Sequence, residues 1–189
     1  MSSKIFPIFT YNNYYFHSNC LSFDEIKNIV NDYDENDINN EAFDWGINCD
    51  MDRIEVKNPD IYEFLSHNVR EFADNFGIKI KFKIFEPWLN TYKKGQYQEI
   101  HDHADHHFAA TIFMNTGNDF GKIYFQNRVI LNNTKMNKLL DASDLWYPDV
   151  RQGSILIFPG YMFHGVSPHK NDEVRKTLSF NIDVIFDEQ

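Results

Sequence analysis

Between positions 101 and 107 the chain reads HDHADHH, which places four of its eight histidines and two aspartates within seven residues. Neutral imidazole is the commonest side chain for a divalent transition metal, and carboxylate is a frequent companion. If QEIHDH is a strand, its side chains alternate between two faces. His101 and His103 then share one face, and Asp105 joins them if the strand runs on. Ile100 and Asp102 point the other way. Two imidazoles side by side in an interior are costly without a partner, and a metal ion is a natural one. His106 and His107 fall in the turn that follows. A wet surface loop rich in histidine would read the same way, so the cluster needs support from elsewhere.

Support comes near the end of the chain. GSILIFPGYMFHGVSP is an apolar run, a Pro159-Gly160 turn, then His164 among aromatic and apolar neighbours. Taken alone, His164 is either a hydrogen-bonded core histidine or a third ligand. Three protein ligands on one face leave coordination positions open, as non-heme iron(II) enzymes need for substrate and oxygen. RKTLSF follows, with ten residues between His164 and Arg175. Thr177 lies on the Arg175 face of that strand. A buried arginine needs an anion, and its planar fork matches a carboxylate. The Thr177 hydroxyl adds one hydrogen bond. An exposed strand-edge arginine is the plainer alternative.

The elements that must position these residues are mostly strands. Residues 4–16 alternate loosely and read as one or two strands. SFDEIKNIVNDYDEN reads as a helix capped by Ser22, with Phe23, Ile26, Ile29 and Val30 on one face. Residues 34–57 are polar and irregular. NPDIYEFLSHNVREFADNFG is a stronger helix, with Asn58 as cap, Pro59 in its first turn and Gly77 at its end. From residue 78 the period changes to two. IKIKFKIF is a strand, and PWLNTY, QEIHDH, FAATIFMN, GKIYFQN, GSILIFP and RKTLSFNIDVIF are further candidates. Many short strands separated by Gly, Asn, Asp and Pro indicate a jelly roll with helices packed outside. A single domain over 1–189 is expected, with supporting elements to about 77 and the jelly-roll core over about 78–187. Residues 131–150 are the longest irregular stretch after residue 78. They carry Trp146 and Tyr147 and are a candidate lid or substrate contact, or a loop tucked by its own aromatics.

Composition removes several function classes. At 189 residues the chain can bury a real core. Its formal net charge of −10, with no long basic run, opposes a nucleic-acid backbone or an anionic membrane surface as main partner. No apolar run approaches the length of a membrane span, which needs roughly 18 residues. MSSKIFPIFTYNNYY lacks a charged region followed by an apolar one, so a signal peptide is not expected. Cys20 and Cys49 lack metal-ligand spacing and read as reduced thiols of a cytoplasmic protein.

Over about residues 85–185 the sequence resembles the 2-oxoglutarate/Fe(II)-dependent oxygenase superfamily, on its double-stranded β-helix (jelly-roll) fold. The likeness is to its prolyl-hydroxylase-like and small phage or bacterial branches. It rests on NTYKKGQYQEIHDH, FAATIFMN, GKIYF, GSILIFPGYMFHGV and RKTLSFN. In that superfamily HxD/E…H holds iron, and an Arg or Lys about ten residues after the distal His binds the cosubstrate carboxylate. The resemblance makes His164 the distal ligand, Arg175 the carboxylate anchor and Thr177 its hydroxyl helper. Tyr92, nine residues before His101, matches a tyrosine that hydrogen-bonds the cosubstrate. The proximal pair departs from the pattern. His101 and His103 fit the spacing from Tyr92 and Gly95 but put His where Asp is expected. His103 and Asp105 give an orthodox HxD but leave a very short turn before FAATIFMN. The first register is preferred; in the second, His101 becomes a neighbouring or substrate-side group.

The implied cofactors are Fe(II), 2-oxoglutarate as cosubstrate and O2. The implied reaction is hydroxylation of a small-molecule or peptidyl substrate, with release of succinate and CO2. Two other readings compete. In a cupin, Gly95, His101 and His103 match the first metal motif, but Arg175 and Thr177 have no task. In a non-catalytic jelly-roll module, the histidines serve structure. Strand edges offer dimerisation surfaces, and the sequence does not choose an oligomeric state.

Overall fold

A computed structural model of the chain describes residues 15–31, 48, 50–53, 58–75, 81–103, 105–127 and 144–186. In chain order the elements are β1 (Phe16–Asn19), α1 (Phe23–Asn31), β2 (Asp50–Arg53), α2 (Ile61–Asn75), β3 (Lys81–Tyr92) and β4 (Gln98–His101). Then come β5 (Phe108–Phe113), β6 (Ile123–Gln126), β7 (Leu145–Trp146), β8 (Ser154–Pro159), β9 (His164–Val166) and β10 (Arg175–Ile185). They form a six-stranded sheet, β1-β8-β5-β10-β3-β2, and a four-stranded sheet, β4-β9-β6-β7. Every pairing is antiparallel. The architecture is mainly β with flanking helices, the jelly roll expected from the sequence.

Period-two alternation gives the large sheet two different faces. Ala110, Ile112, Ile155, Ile157, Leu178, Phe180 and Ile182 pack with Ile26, Val30, Ile61, Leu65, Val69 and Phe72 of the two helices. The alternate residues Ala109, Phe113, Leu156 and Phe158 meet Ile123 and Phe125 of the small sheet. Each fully buried aliphatic or aromatic side chain contributes about 1.5–3 kcal/mol. The helix side therefore anchors the fold, while the space between the sheets holds this smaller apolar cluster together with polar groups.

IKIKFKIF and PWLNTY were expected as separate strands, but the described part forms one strand, β3. At its middle, Ser179 pairs with Trp88 and Asn181 with Phe85. Glu86 and Pro87 thus oppose the single residue Phe180. This is a β-bulge, and Glu86 takes the left-handed conformation such a site uses (φ 38°). A one-residue insertion exchanges the faces. Before the bulge, Phe82 and Ile84 pack on the helix side; after it, Leu89 does. Trp88, Asn90 and Tyr92 are thereby turned into the space between the sheets. Proline is tolerated because it lies at the bulge.

Three further expectations need correction or lie elsewhere. QEIHDH does not run as a strand to His103: β4 ends at His101 and is irregular after Gln98. The chain turns there because His103 N–H donates to Gly160 O (2.7 Å) and His106 N–H to His103 O (2.8 Å). The stretch 34–57, expected to be irregular, contains β2. This edge strand pairs through its backbone with β3 and needs no apolar signature. Similarly, residues 145–146 of the expected loop 131–150 form β7, opposite β6. Residues 4–14, Cys49, Gly77 and most of 131–150 lie outside the described residues. Cys20 is buried, and burial pushes its thiol up to about 12, an unreactive state. Among the described residues no helix is long and apolar enough to cross a membrane.

α2 is tied to the approach to α1 by one side chain. Asn68 is fully buried. Its Oδ1 accepts from Leu21 N–H (2.7 Å), and its Nδ2 donates to Leu21 O (3.0 Å) and Phe64 O (3.0 Å). Asn68→Leu would remove all three bonds at a position that is itself fully buried. The expected cost is about 2–4 kcal/mol. Urea denaturation measures it; a midpoint unchanged from wild type would show that the bond set is dispensable.

Candidate metal centre

His101 and His164 are opposed residues of the β4/β9 pair. Their ring centroids lie 4.2 Å apart. His103 reaches them from the turn beyond β4. Its ring is stacked on His164 (5.2 Å, 16°) and meets His101 edge-on (5.2 Å, 62°). One ligand nitrogen from each of the three lies within 4.8 Å of the others. Asp105 is exposed in the turn and stands outside this group. His106 and His107 occupy the same turn and bind Asp183 instead, with Nδ1 to carboxylate distances of 3.4 and 3.1 Å.

Backbone carbonyls set which nitrogen is available. His101 Nδ1 lies 2.7 Å from Glu99 O, and His164 Nδ1 lies 3.0 Å from Met162 O. A carbonyl only accepts, so Nδ1 carries the proton and Nε2 keeps its lone pair. All three imidazoles are held below their usual range. Burial is the main cause for each, and the neighbouring histidines add to it for His103 and His164. Asp102 opposes the shift at His101 and His103, and Asn181 opposes it at His103. His103 falls to about 4. Metal binding requires neutral imidazole, and this cluster is neutral at ordinary pH. An all-nitrogen set of three, gathered on one side, fits a divalent transition metal with positions left open.

The pocket continues to an arginine. Arg175 is 3% exposed, with its guanidinium 4.6 Å over the Tyr92 ring and 5.8 Å from the Phe113 ring. Thr177 is also buried and accepts from Asn90 Nδ2 (3.4 Å). Asn90 Nδ2 donates to Ser179 Oγ as well (3.0 Å), and Asn90 Oδ1 accepts from Trp88 Nε1 (3.1 Å). His101, His103, His164, Arg175, Thr177 and Tyr92 all line this one pocket. Trp88, Asn90 and Ser179 line it too, although none is among the site residues expected from the sequence. Period two counted back from Tyr92 and on from Thr177 would have found them. Trp146 and Tyr147 do not line it. Trp146 stacks on Phe125 (5.8 Å) and contacts Tyr15 (4.6 Å), while Tyr147 lies 5.7 Å from Tyr124.

A protein-family model described as "Putative 2OG-Fe(II) oxygenase" matches residues 86–181, just over half the chain. The chain belongs to this family, whose members use Fe(II), 2-oxoglutarate and O2. No curated protein matches the sequence. Among solved structures, one similar chain is the viral collagen prolyl hydroxylase of Paramecium bursaria Chlorella virus-1 in its 2-oxoglutarate complex. It is 14% identical, over 93% of this chain and 98% of that one, with a TM-score of 0.63. HygX from Streptomyces hygroscopicus, with nickel and 2-oxoglutarate bound, is 12% identical over 92% and 84%, at 0.66. The alpha-ketoglutarate-dependent epimerase SnoN of nogalamycin biosynthesis is 11% identical over 90% and 78%, at 0.67. At these identities the likeness is one of fold.

The His103 turn depends on close backbone approach at Gly160. Gly160 O accepts from His103 N–H, and Gly160 N–H donates to His107 O (2.9 Å). A Cβ at Gly160 would run into the carbonyl oxygens of His103 and His106. Gly160→Ala is therefore expected to weaken Ni(II) binding by about tenfold or more while the circular dichroism spectrum stays native. Calorimetric titration checks this, and wild-type affinity would remove Gly160 from the placement of His103.

The metal-free protein should also lose stability in acid. Histidines with depressed native pKa bind protons first in the unfolded chain. Their contribution is complete above about 6.5. It falls as pH drops toward about 4, the native value of His103. The loss from His103 alone is up to about 3 kcal/mol. Across this range the melting temperature of wild type should fall more steeply with decreasing pH than that of His103→Ala. Parallel curves would contradict the shift.

Proposed function

We propose that the chain is a 2-oxoglutarate- and Fe(II)-dependent dioxygenase that hydroxylates a small-molecule or peptidyl substrate. In this reading His101, His103 and His164 hold the iron, and Arg175, Thr177 and Tyr92 bind the cosubstrate. The observation that carries it is one pocket combining three neutral imidazoles with a buried arginine. When bound, iron and 2-oxoglutarate supply the oxidising chemistry: one O2 yields succinate, CO2 and the hydroxylated substrate.

The chain's own residues then have separable tasks. Arg175 pairs its fork with the distal carboxylate of 2-oxoglutarate, and Tyr92 holds the guanidinium plane from one face. Thr177 adds a hydroxyl to the same carboxylate, and Asn90 keeps that hydroxyl in place. Phe158 and Phe125 cover His164, at 4.8 and 6.1 Å between ring centroids, and exclude water from that side. Trp88, stacked 6.0 Å from His103, forms the wall on the other side. The buried Arg175-Thr177 pair favours the oxygenase over the cupin, which gives these residues no work.

The viral neighbour acts on collagen prolyl residues and HygX is seen elsewhere with hygromycin B. Both a peptidyl and a small-molecule substrate are thus compatible with this fold. The net charge of −10 disfavours nucleic acid.

Uncoupled turnover tests this without a known substrate. Wild-type protein with Fe(II), ascorbate and 2-oxoglutarate should form succinate in air. His164→Ala and Arg175→Ala should each reduce it at least about a hundredfold. His101→Ala should do the same, and Asp105→Ala should not. Succinate lost in Asp105→Ala but retained in His101→Ala would move the ligand set to His103, Asp105 and His164. Metal binding without 2-oxoglutarate consumption would sink the oxygenase reading.

A further inference from the structure

Arg175 is the first residue of β10, and the strand beside it ends early. β5 pairs with β10 as far as Phe113 opposite Thr177. One more rung would place Asn115 opposite Arg175. The backbone makes one more bond, Met114 N–H to Lys176 O (3.1 Å), and beyond it the Asn115 side chain takes over. Its Nδ2 donates to Val174 O (2.8 Å), and its Oδ1 accepts from Lys176 N–H (2.8 Å). A primary amide has the donor and acceptor of a peptide unit. Asn115 therefore replaces the missing rung and straddles Arg175.

A second side chain holds the residue before that. His169 is 1% exposed. Its Nε2 donates to Glu173 O (2.7 Å), and its Nδ1 accepts from Gly121 N–H (3.1 Å). Only the neutral ring protonated at Nε2 does both. The His169 backbone also accepts from Gly95 N–H (2.7 Å) and donates to Gln96 O (2.9 Å). Gly95 (φ 90°) sits third in the turn from Lys93 to Gln96, which directly follows Tyr92. His169 thus joins the loop after Tyr92, the loop before β6 and the loop leading to Arg175. Neither Asn115 nor His169 lines the metal pocket.

We propose that Asn115 and His169 are positioning residues for the carboxylate anchor. They fix the peptide units on both sides of Arg175, so that its guanidinium meets the distal carboxylate of 2-oxoglutarate in two-point geometry. This rests on the cosubstrate role given to Arg175 above. Bidentate pairing is sensitive to orientation, and a small rotation of the strand's first residue would spoil it.

The test is calorimetric titration of the Ni(II)-loaded protein with 2-oxoglutarate and, separately, with oxalate. Oxalate meets the metal but has no distal carboxylate for Arg175. Asn115→Ala and His169→Phe should weaken 2-oxoglutarate roughly tenfold, the scale of one or two lost hydrogen bonds. Oxalate affinity should stay within about twofold of wild type. His169→Gln keeps a donor and an acceptor and should recover part of the loss. Asn115→Asp keeps the acceptor for Lys176 N–H but sets a carboxylate against Val174 O and Glu173, so it should weaken 2-oxoglutarate at least as much as Asn115→Ala, which tests the role by itself if His169→Phe does not fold. Equal weakening of both ligands, or of neither, overturns the positioning role. If wild type binds oxalate but not 2-oxoglutarate, the cosubstrate role of Arg175 fails and the inference falls with it.

Discussion

Three imidazoles with a ligand nitrogen of each within 4.8 Å of the others, in a largely buried space, are driven to the neutral form. Burial and mutual repulsion both favour the neutral form, and the neutral form is the one that ligates metal. Much of the local structure serves this convergence. The β4/β9 pairing sets His101 against His164. The bonds between Gly160 and the His103 turn bring in the third ring after the strand has ended. Carbonyls of Glu99 and Met162 occupy the outer nitrogens of two rings and leave the inner ones exposed to the centre.

A second constraint is the parity of the strands that face this centre. β10 keeps strict alternation, so Leu178, Phe180 and Ile182 anchor the helix side while Arg175, Thr177, Ser179, Asn181 and Asp183 form a polar row on the other. The row changes function along its length. Arg175 lies deep at one end. At the other, Asp183 gathers His106 and His107: burial pushes its carboxyl up, but the hydrogen bonds from these residues outweigh that and hold it low. β3 reaches the same face only through its bulge at Glu86 and Pro87. Without that extra residue, Trp88, Asn90 and Tyr92 would point into the helix-side core, where their polar atoms would lack partners.

Much of the fold was legible in the sequence because antiparallel strands with one polar face carry a period-two signature. Arg175 and Thr177 were found as a pair for that reason, and the helices showed their apolar stripes. Trp88 and Asn90 show their face only when the period is counted back from Tyr92, because the bulge shifts the phase between Ile84 and Leu89. His101 and His103 were grouped by an alternation that holds only for His101. Their proximity is real, but a turn produces it. β2 and β7 escaped notice because an edge strand pairs through its backbone and needs no particular side chains.

The sequence by itself determined the inventory: which donors exist, which residues alternate, and the resemblance of RKTLSF and GSILIFPGYMFHGV to a family that uses iron and 2-oxoglutarate. The donors and the alternation are properties of composition and local period, which local physics reads directly; the family likeness rests on the resemblance of motifs. Only the tertiary structure decided that Asp105 stands apart from the histidines, that Asn115 replaces a rung beside Arg175, and that His169 ties three loops together. Each of these depends on where distant segments meet. Such meetings are set by the packing of two sheets against each other, and no local pattern encodes them.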